Sequence, residues 1–223
     1  MRKFMMTTAT ATACLLAGTA LAGISADEAA RLGGPELTPM GAERAGNADG
    51  TIPEWTGGLV QPPANYTPGG KLVDPFPDDQ PLFRITAENY TDYEDKLSPG
   101  QVAVLKRYPD TFYIPVYQTR RTAVYPQEIY DQIKAGAVNV NLVSGGNGLE
   151  NLASDTPFPI PASGIEIVWN HVMRYRGGSF QRTYTQIPVQ ANGAFSPVVF
   201  QDQLTYGRYL EGSPPNRLFY YKQ

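Results

Sequence analysis

Eighteen of the fifty residues from 33 to 82 are glycine or proline, nine of each, where average usage would give about 6. A segment of this composition can be neither a helix nor a central strand. Proline removes ladder and helix donors, and glycine adds backbone entropy that must be lost on ordering. The segment also carries Trp55, Tyr66, Phe76 and Leu82, with Phe83 just beyond it, and aromatic content of this kind is what a disordered linker lacks. It reads as an ordered, irregular strap lying on a domain and held there by its aromatics.

The chain has 223 residues, and its first 22 read as a removable export signal. Arg2 and Lys3 form a positive start, residues 4–19 are apolar or small around Leu15 and Leu16, and Ala20-Leu21-Ala22 fits the small-x-small cleavage rule. The apolar stretch is rich in Thr and too short for a membrane span. Cleavage after Ala22 leaves 201 residues with 16 basic and 21 acidic side chains, a net charge of −5 (18 less Arg2 and Lys3, against 21). An acidic chain is a poor partner for phosphate backbones, which excludes general nucleic-acid binding. Cys14, the single cysteine, lies inside the signal, and His171 is the single histidine. Thiol catalysis, disulfides, Fe–S clusters and an ordinary zinc site are thereby excluded, and no cofactor or metal is expected.

Beyond the signal the sequence predicts mixed elements. Ser25 and Glu28 have capping-box spacing for a helix to about Leu32. Thr86, Tyr90, Tyr93 and Leu97 share one helical face. Ser98 as N-cap and Pro99 in the first turn start a helix that buries Val102 and Leu105 and stops before Pro109. Residues 111–119 read as a strand that Pro115 confines to an edge. Pro126 opens a helix with Ile129, Tyr130 and Ile133 on one face, ended by Gly136. Ala137 to Val143 alternates like a strand and turns at Gly145-Gly146-Asn147-Gly148. Pro157 to Pro161 is stiff and extended.

Ser163 and Glu166 mark a second capping box, followed by Ile165, Val168, Trp169, Val172 and Met173 on one face and Glu166, Asn170 and Arg174 on the other. A strand is the alternative there; the cap and the Gly177-Gly178 stop favour the helix. From Ser179 the period is two. Phe180 and Tyr184 alternate with polar residues, and Asn192-Gly193 signals a hairpin. Val198, Phe200, Leu204 and Tyr206 share one face of the return strand, with Asp202 the exception. Arg217 to Gln223 is strand-like.

Candidate chemistry is sparse. Asn47-Ala-Asp49-Gly50-Thr51-Ile52 resembles the centre of a calcium loop, but Ala45 and Thr56 stand where anchoring ligands belong, so an Asx-Gly turn is the better reading. His171 would have to serve any Ser–His catalysis, yet no Gly-x-Ser-x-Gly elbow accompanies it. Asp78-Asp79 and the acids from Asp92 to Asp95 read as solvated charge. Arg120-Arg121 and Arg174-x-Arg176 either hold an anionic group or pair within the protein, and internal pairing is the commoner use.

What remains is 14 Tyr, 9 Phe and 2 Trp. An antiparallel sheet with an aromatic inner face and a helix across it makes a cleft for an apolar ligand, lined by Trp169, Val172, Met173, Tyr184, Phe200, Leu204 and Tyr206. The same pattern is also an ordinary core, and periodicity does not separate the two.

Several strings resemble a known family: GAERAGNADGTIPEWTGG from Gly41, DPFPDDQPLF from Asp74, KLSPGQ from Lys96, PFPIP from Pro157 and WNHVMRYRG from Trp169. Together they resemble the exported proteobacterial family called domain of unknown function 1329, also described as outer-membrane lipoprotein-sorting-like. The resemblance implies an α+β fold similar to the carriers LolA and LolB: a strongly curved antiparallel sheet forming an incomplete barrel, with helices on its apolar mouth.

It implies a Gram-negative periplasmic or outer-membrane-facing location and lipidic or hydrophobic cargo, with no catalytic residues to carry over. Family members are expected to continue past Lys222, so the chain reads as the N-terminal part of a larger sheet. The expected organisation is a signal over 1–22, a helix and strap over 23–85, and an α+β domain over 86–223. The leading expectation is a non-catalytic binding or transfer protein for a lipid or other hydrophobic molecule. An accessory module of an outer-membrane or efflux system is the alternative, and a hydrolase a second.

Overall fold

A computed structural model describes residues 23–214 and 217–223. The export signal and Cys14 lie outside the described residues. The chain divides into two compact units, Ala30–Asp131 and a second built from the residues before Ala30 together with Gln132–Gln223. Helices and strands are mixed. Among the described residues the strands form three small antiparallel sheets of two, two and three strands, none of them closed into a barrel, in place of the single curved sheet expected.

In the Ala30–Asp131 unit the strap has neither helix nor strand across residues 33–82. Strand β1 (Phe83–Ile85) follows it and pairs with β2 (Ile114–Val116), with Arg84 opposite Pro115. Between them runs α2 (Pro99–Arg107), after the short helix α1 (Ala26–Ala30) of the other unit. Both start as their sequences predict. Ser25 Oγ accepts the Glu28 amide at 3.2 Å, and Glu28 Oε2 accepts the Ser25 amide at 2.9 Å. Ser98 and Gln101 make the same reciprocal pair at 3.2 and 2.8 Å, and Leu105 is fully buried.

The helix expected from Thr86 to Leu97 is only a 3₁₀ helix over Tyr90–Lys96. Asn89 explains this. Its side chain accepts the Thr86 amide at 2.7 Å and donates to the Arg84 carbonyl at 3.0 Å, closing a local turn that competes with the helix.

Helix α3 (Gln127–Gly136) buries Ile129, Tyr130 and Ile133 as expected, and the division between the units falls inside it. The strand expected from Ala137 shrinks to β3 (Asn141–Leu142), paired with β4 (Leu149–Glu150) across the glycine turn. The first residues instead prolong the helix end, since Asn139 and Val140 donate to the Gly136 carbonyl at 3.1 and 3.3 Å.

Residues 154–159 are buried although irregular. Buried backbone without a ladder must find other partners, and α4 (Gly164–Val172) supplies them. Its expected orientation is therefore reversed: Glu166 is 5% exposed while Val168 is 54% exposed. Asn170 bonds both backbone groups of Phe158, and the Glu166 carboxylate accepts the Ala162 amide at 2.5 Å. The Ser163–Glu166 capping box does not form, because Glu166 is committed there and Ser163 makes no side-chain cap.

Strands β5 (Ser179–Gln186), β6 (Val198–Tyr206) and β7 (Phe219–Lys222) make the third sheet in that order. The Asn192-Gly193 turn sits where expected, with Gly193 at φ 82°, a conformation glycine adopts without strain.

Candidate functional site

Strand alternation and register decide which side chains share the face of β5–β7. Tyr184 lies opposite Phe200, Arg182 opposite Asp202 and Phe180 opposite Leu204; across the other ladder Leu204 meets Tyr221 and Tyr206 meets Phe219. These residues make one face, aromatic and aliphatic around a single ion pair. The opposite face carries Gln181, Thr183, Gln201, Gln203 and Thr205, and there Gln203 bonds Gln181 at 2.9 Å.

The face is open in part. Tyr206 is buried at one end. Tyr184 and Phe200 are half-buried and stack at 5.3 Å between ring centroids, a cross-strand pair of the kind that stabilises sheets. Phe219 is 50% and Tyr221 49% exposed.

Asp202, the exception to the apolar alternation, is 0% exposed. Arg182 Nε reaches its Oδ2 at 2.7 Å and Nη2 reaches the same oxygen at 2.6 Å. That bond, strengthened by charge, holds the Arg182 guanidinium above its ordinary pKa. Arg182 also lies 4.9 Å from the Tyr184 ring centre. Withdrawal from water raises the Tyr221 phenol above its usual value, and the Asp202 and Tyr184 charges add to the effect. The Tyr221 hydroxyl thus lies near the Asp202 carboxylate at the edge of the apolar face.

Of the seven residues expected to line a cleft, Tyr184, Phe200, Leu204 and Tyr206 share this face. Trp169 and Val172 of α4 and Met173 at its end lie elsewhere. Val172 points outward with Ile165, Ile167 and Val168. Trp169 donates to the Gly146 carbonyl at 2.9 Å and lines an open cavity of about 510 Å³ with Leu149, Leu152 and Leu218. Met173 is buried and borders a smaller cavity of about 160 Å³ with Arg208 and Leu218. Sequence reasoning missed Arg182, Phe219 and Tyr221. The signal for Arg182 was present, since it falls between Phe180 and Tyr184 in the same period-two frame as the apolar residues.

The other candidates take structural places. Asp49 Oδ1 accepts the Thr51 amide and hydroxyl at 3.0 and 2.7 Å, which lowers its pKa and makes the Asx turn. Arg120 clasps Asp79 in a fork at 2.9 and 2.6 Å. Arg121 donates to the carbonyls of Glu43, Arg44, Ala45 and Pro53 at 2.5 to 3.3 Å. The two arginines thus secure the strap, together with Trp55, whose indole donates to the Ala123 carbonyl at 3.1 Å. His171 is exposed, with Arg174 Nη1 at 3.3 Å from its Nε2. Among the described residues no three His, Cys, Asp or Glu side chains cluster to hold a metal, and no helix is long and apolar enough to cross a membrane.

Residues 84–223 match the family described as a protein of unknown function, DUF1329. The chain is 49% identical over 225 residues to an uncharacterized protein of Pseudomonas aeruginosa, a match that covers 99% of this chain and 49% of that protein. The chain thus spans about half the length of that relative. No solved structure matches it.

Proposed function

We propose, from the premise that the chain belongs to the DUF1329 family, that it is a non-catalytic binding protein for a lipid or other hydrophobic molecule, which it holds on the aromatic face of β5–β7. One observation carries this reading. The face that gathers Phe180, Tyr184, Phe200, Leu204, Phe219 and Tyr221 is left partly open, while on the more polar face behind it Gln203 bonds Gln181. Contiguous exposed apolar surface is costly in water and marks binding surfaces. Tyrosines suit an amphiphile, because their rings take an acyl chain and their hydroxyls a polar group. On this reading β5–β7 is the nucleus of a LolA/LolB-like curved sheet, and the protein works in the periplasm, facing the outer membrane, after removal of residues 1–22. The test is native mass spectrometry of protein purified from the periplasm of its own host. A bound mass that organic extraction removes supports the proposal, and wild-type protein that carries none and takes up no fatty acid or phospholipid contradicts it.

A second reading has its own support. The outer edge of β7 is unpaired among the described residues, and all four residues of the strand are exposed. Open edges of this kind accept an added strand, as an accessory module of an outer-membrane or efflux assembly would use. Crosslinking from Lys222 to one membrane protein, lost when Tyr220 is replaced by proline, is the result this reading requires.

A further inference from the structure

Another cavity lies in the Ala30–Asp131 unit, remote in sequence from the sheet. It is a mostly apolar cleft of about 310 Å³ with walls of Pro39, Met40, Trp55, Thr122, Ala123 and Tyr130. Strap residues form one side, and the extended segment after Arg121 with α3 forms the other. Its two large rings are fixed before any ligand arrives. Trp55 is tied by its indole to the Ala123 carbonyl at 3.1 Å and lies under the Arg44 guanidinium at 4.9 Å. The Tyr130 hydroxyl accepts the Tyr125 amide at 2.7 Å, and the residue is buried. Walls ordered in advance lower the entropy lost on binding.

Three polar side chains at the cleft are already committed. Thr38 Oγ1 accepts the Ala42 amide at 3.1 Å, Arg120 is held by Asp79, and Arg121 by four backbone carbonyls. A cationic ligand would lose its hydration there and meet the Arg120 and Arg121 guanidiniums, with only Asp79 set against them. An uncharged apolar one loses nothing. Size narrows the class further. A cavity of about 150 Å³ accepts one benzene ring, so 310 Å³ accommodates a molecule of about two fused rings.

We infer that this cleft is a binding site for a flat, two-ring hydrophobic molecule that carries no positive charge, separate from the aromatic sheet face. The chain has only two tryptophans, Trp55 in the cleft and Trp169 on α4, which makes the test direct. Naphthalene, added to the full chain labelled with nitrogen-15, shifts the Trp55 indole N–H resonance saturably and leaves that of Trp169 in place; Trp169→Phe assigns the two signals. The cationic 2-naphthylmethylammonium binds at least tenfold more weakly. Ala42→Trp, which fills the cleft from its rim while keeping the backbone amide that Thr38 holds, abolishes the Trp55 shift, and Phe200→Ala does not. The inference is overturned if naphthalene leaves Trp55 unmoved, if Trp169 moves and Trp55 does not, if the naphthylmethylammonium binds equally well, or if folded Ala42→Trp still binds. The wild-type result decides the matter should that variant fail to fold.

Discussion

Asn170 reaches back twelve residues to hold both backbone groups of Phe158, accepting its amide at 2.8 Å and donating to its carbonyl at 2.6 Å. The pairing turns α4 over: its polar edge faces the protein and its apolar edge faces water. Removal of Asn170 leaves two partly buried backbone groups without partners, and each such group costs about 1–3 kcal/mol. Asn170→Ala is therefore expected to cost about 2–4 kcal/mol by chemical denaturation. Val168→Ser, on the exposed edge, is expected to stay within about 0.5 kcal/mol of wild type. A larger loss from Val168→Ser than from Asn170→Ala would show that the helix packs the other way.

Arg121 secures the strap through four carbonyls and no carboxylate. Such binding depends on the planar fork and its several donors, which a lysine ammonium does not reproduce. Hydrogen bonds to a charged group are worth about 1.5–3 kcal/mol each, though not additively. Both Arg121→Ala and Arg121→Lys are expected to free the strap, read as rapid proteolysis between residues 43 and 59 while the fragment from Gln132 stays protected. Cleavage spread evenly over the chain would refute this.

Asp79 is held below the usual carboxylate range, first by its hydrogen bonds from Arg120 and then by the arginine's charge. A lowered native pKa means that the unfolded chain binds the proton first as pH falls. The contribution is thus complete above the ordinary Asp value of about 3.9 and disappears as pH falls through the lowered native value. The stability difference between wild type and Asp79→Asn is expected to be small and constant above about pH 5 and to close in stronger acid. A difference that grows on acidification would contradict the pairing.

Arg182 pairs with a carboxylate that has no exposed surface. Loss of the cation strands a buried charge, whereas loss of the acid leaves an arginine that can turn to water. Arg182→Met is therefore expected to destabilise more than Asp202→Asn, and the double replacement Arg182→Leu with Asp202→Leu to recover most of the loss, as apolar substitutes for buried pairs do. Denaturation midpoints give the order directly.

These residues also show what was legible in the sequence. Starts and stops set by neighbours in the chain were readable. Ser98 with Pro99 and Gln101, Ser25 with Glu28, and the Asn192-Gly193 turn all act within five residues. Period two placed Phe180 with Tyr184, and Phe200 with Leu204 and Tyr206, because alternation within a strand needs no knowledge of the rest of the fold; the register then joined the two sets. The face that α4 buries was not readable, since it depends on what the helix meets. It meets an irregular segment whose unpaired amides need polar side chains, so Asn170 and Glu166 prevail over the apolar stripe. Asp202 looked like a defect until the long-range register set Arg182 opposite it, and β7 joined the face only through pairing with β6.

The central claim is that the open aromatic face of β5–β7 holds a hydrophobic molecule, and titration with the fluorescent fatty acid cis-parinaric acid tests it most directly. Paired wild-type and Phe200→Ser/Tyr221→Ser proteins, matched for folding by circular dichroism, are the comparison. The account predicts saturable binding to wild type at about one molecule per chain and at least tenfold weaker binding to the double variant, since each aromatic removed from an apolar contact costs about 1.5–3 kcal/mol. Equal binding by the two proteins, or none by wild type freed of lipid, would contradict it.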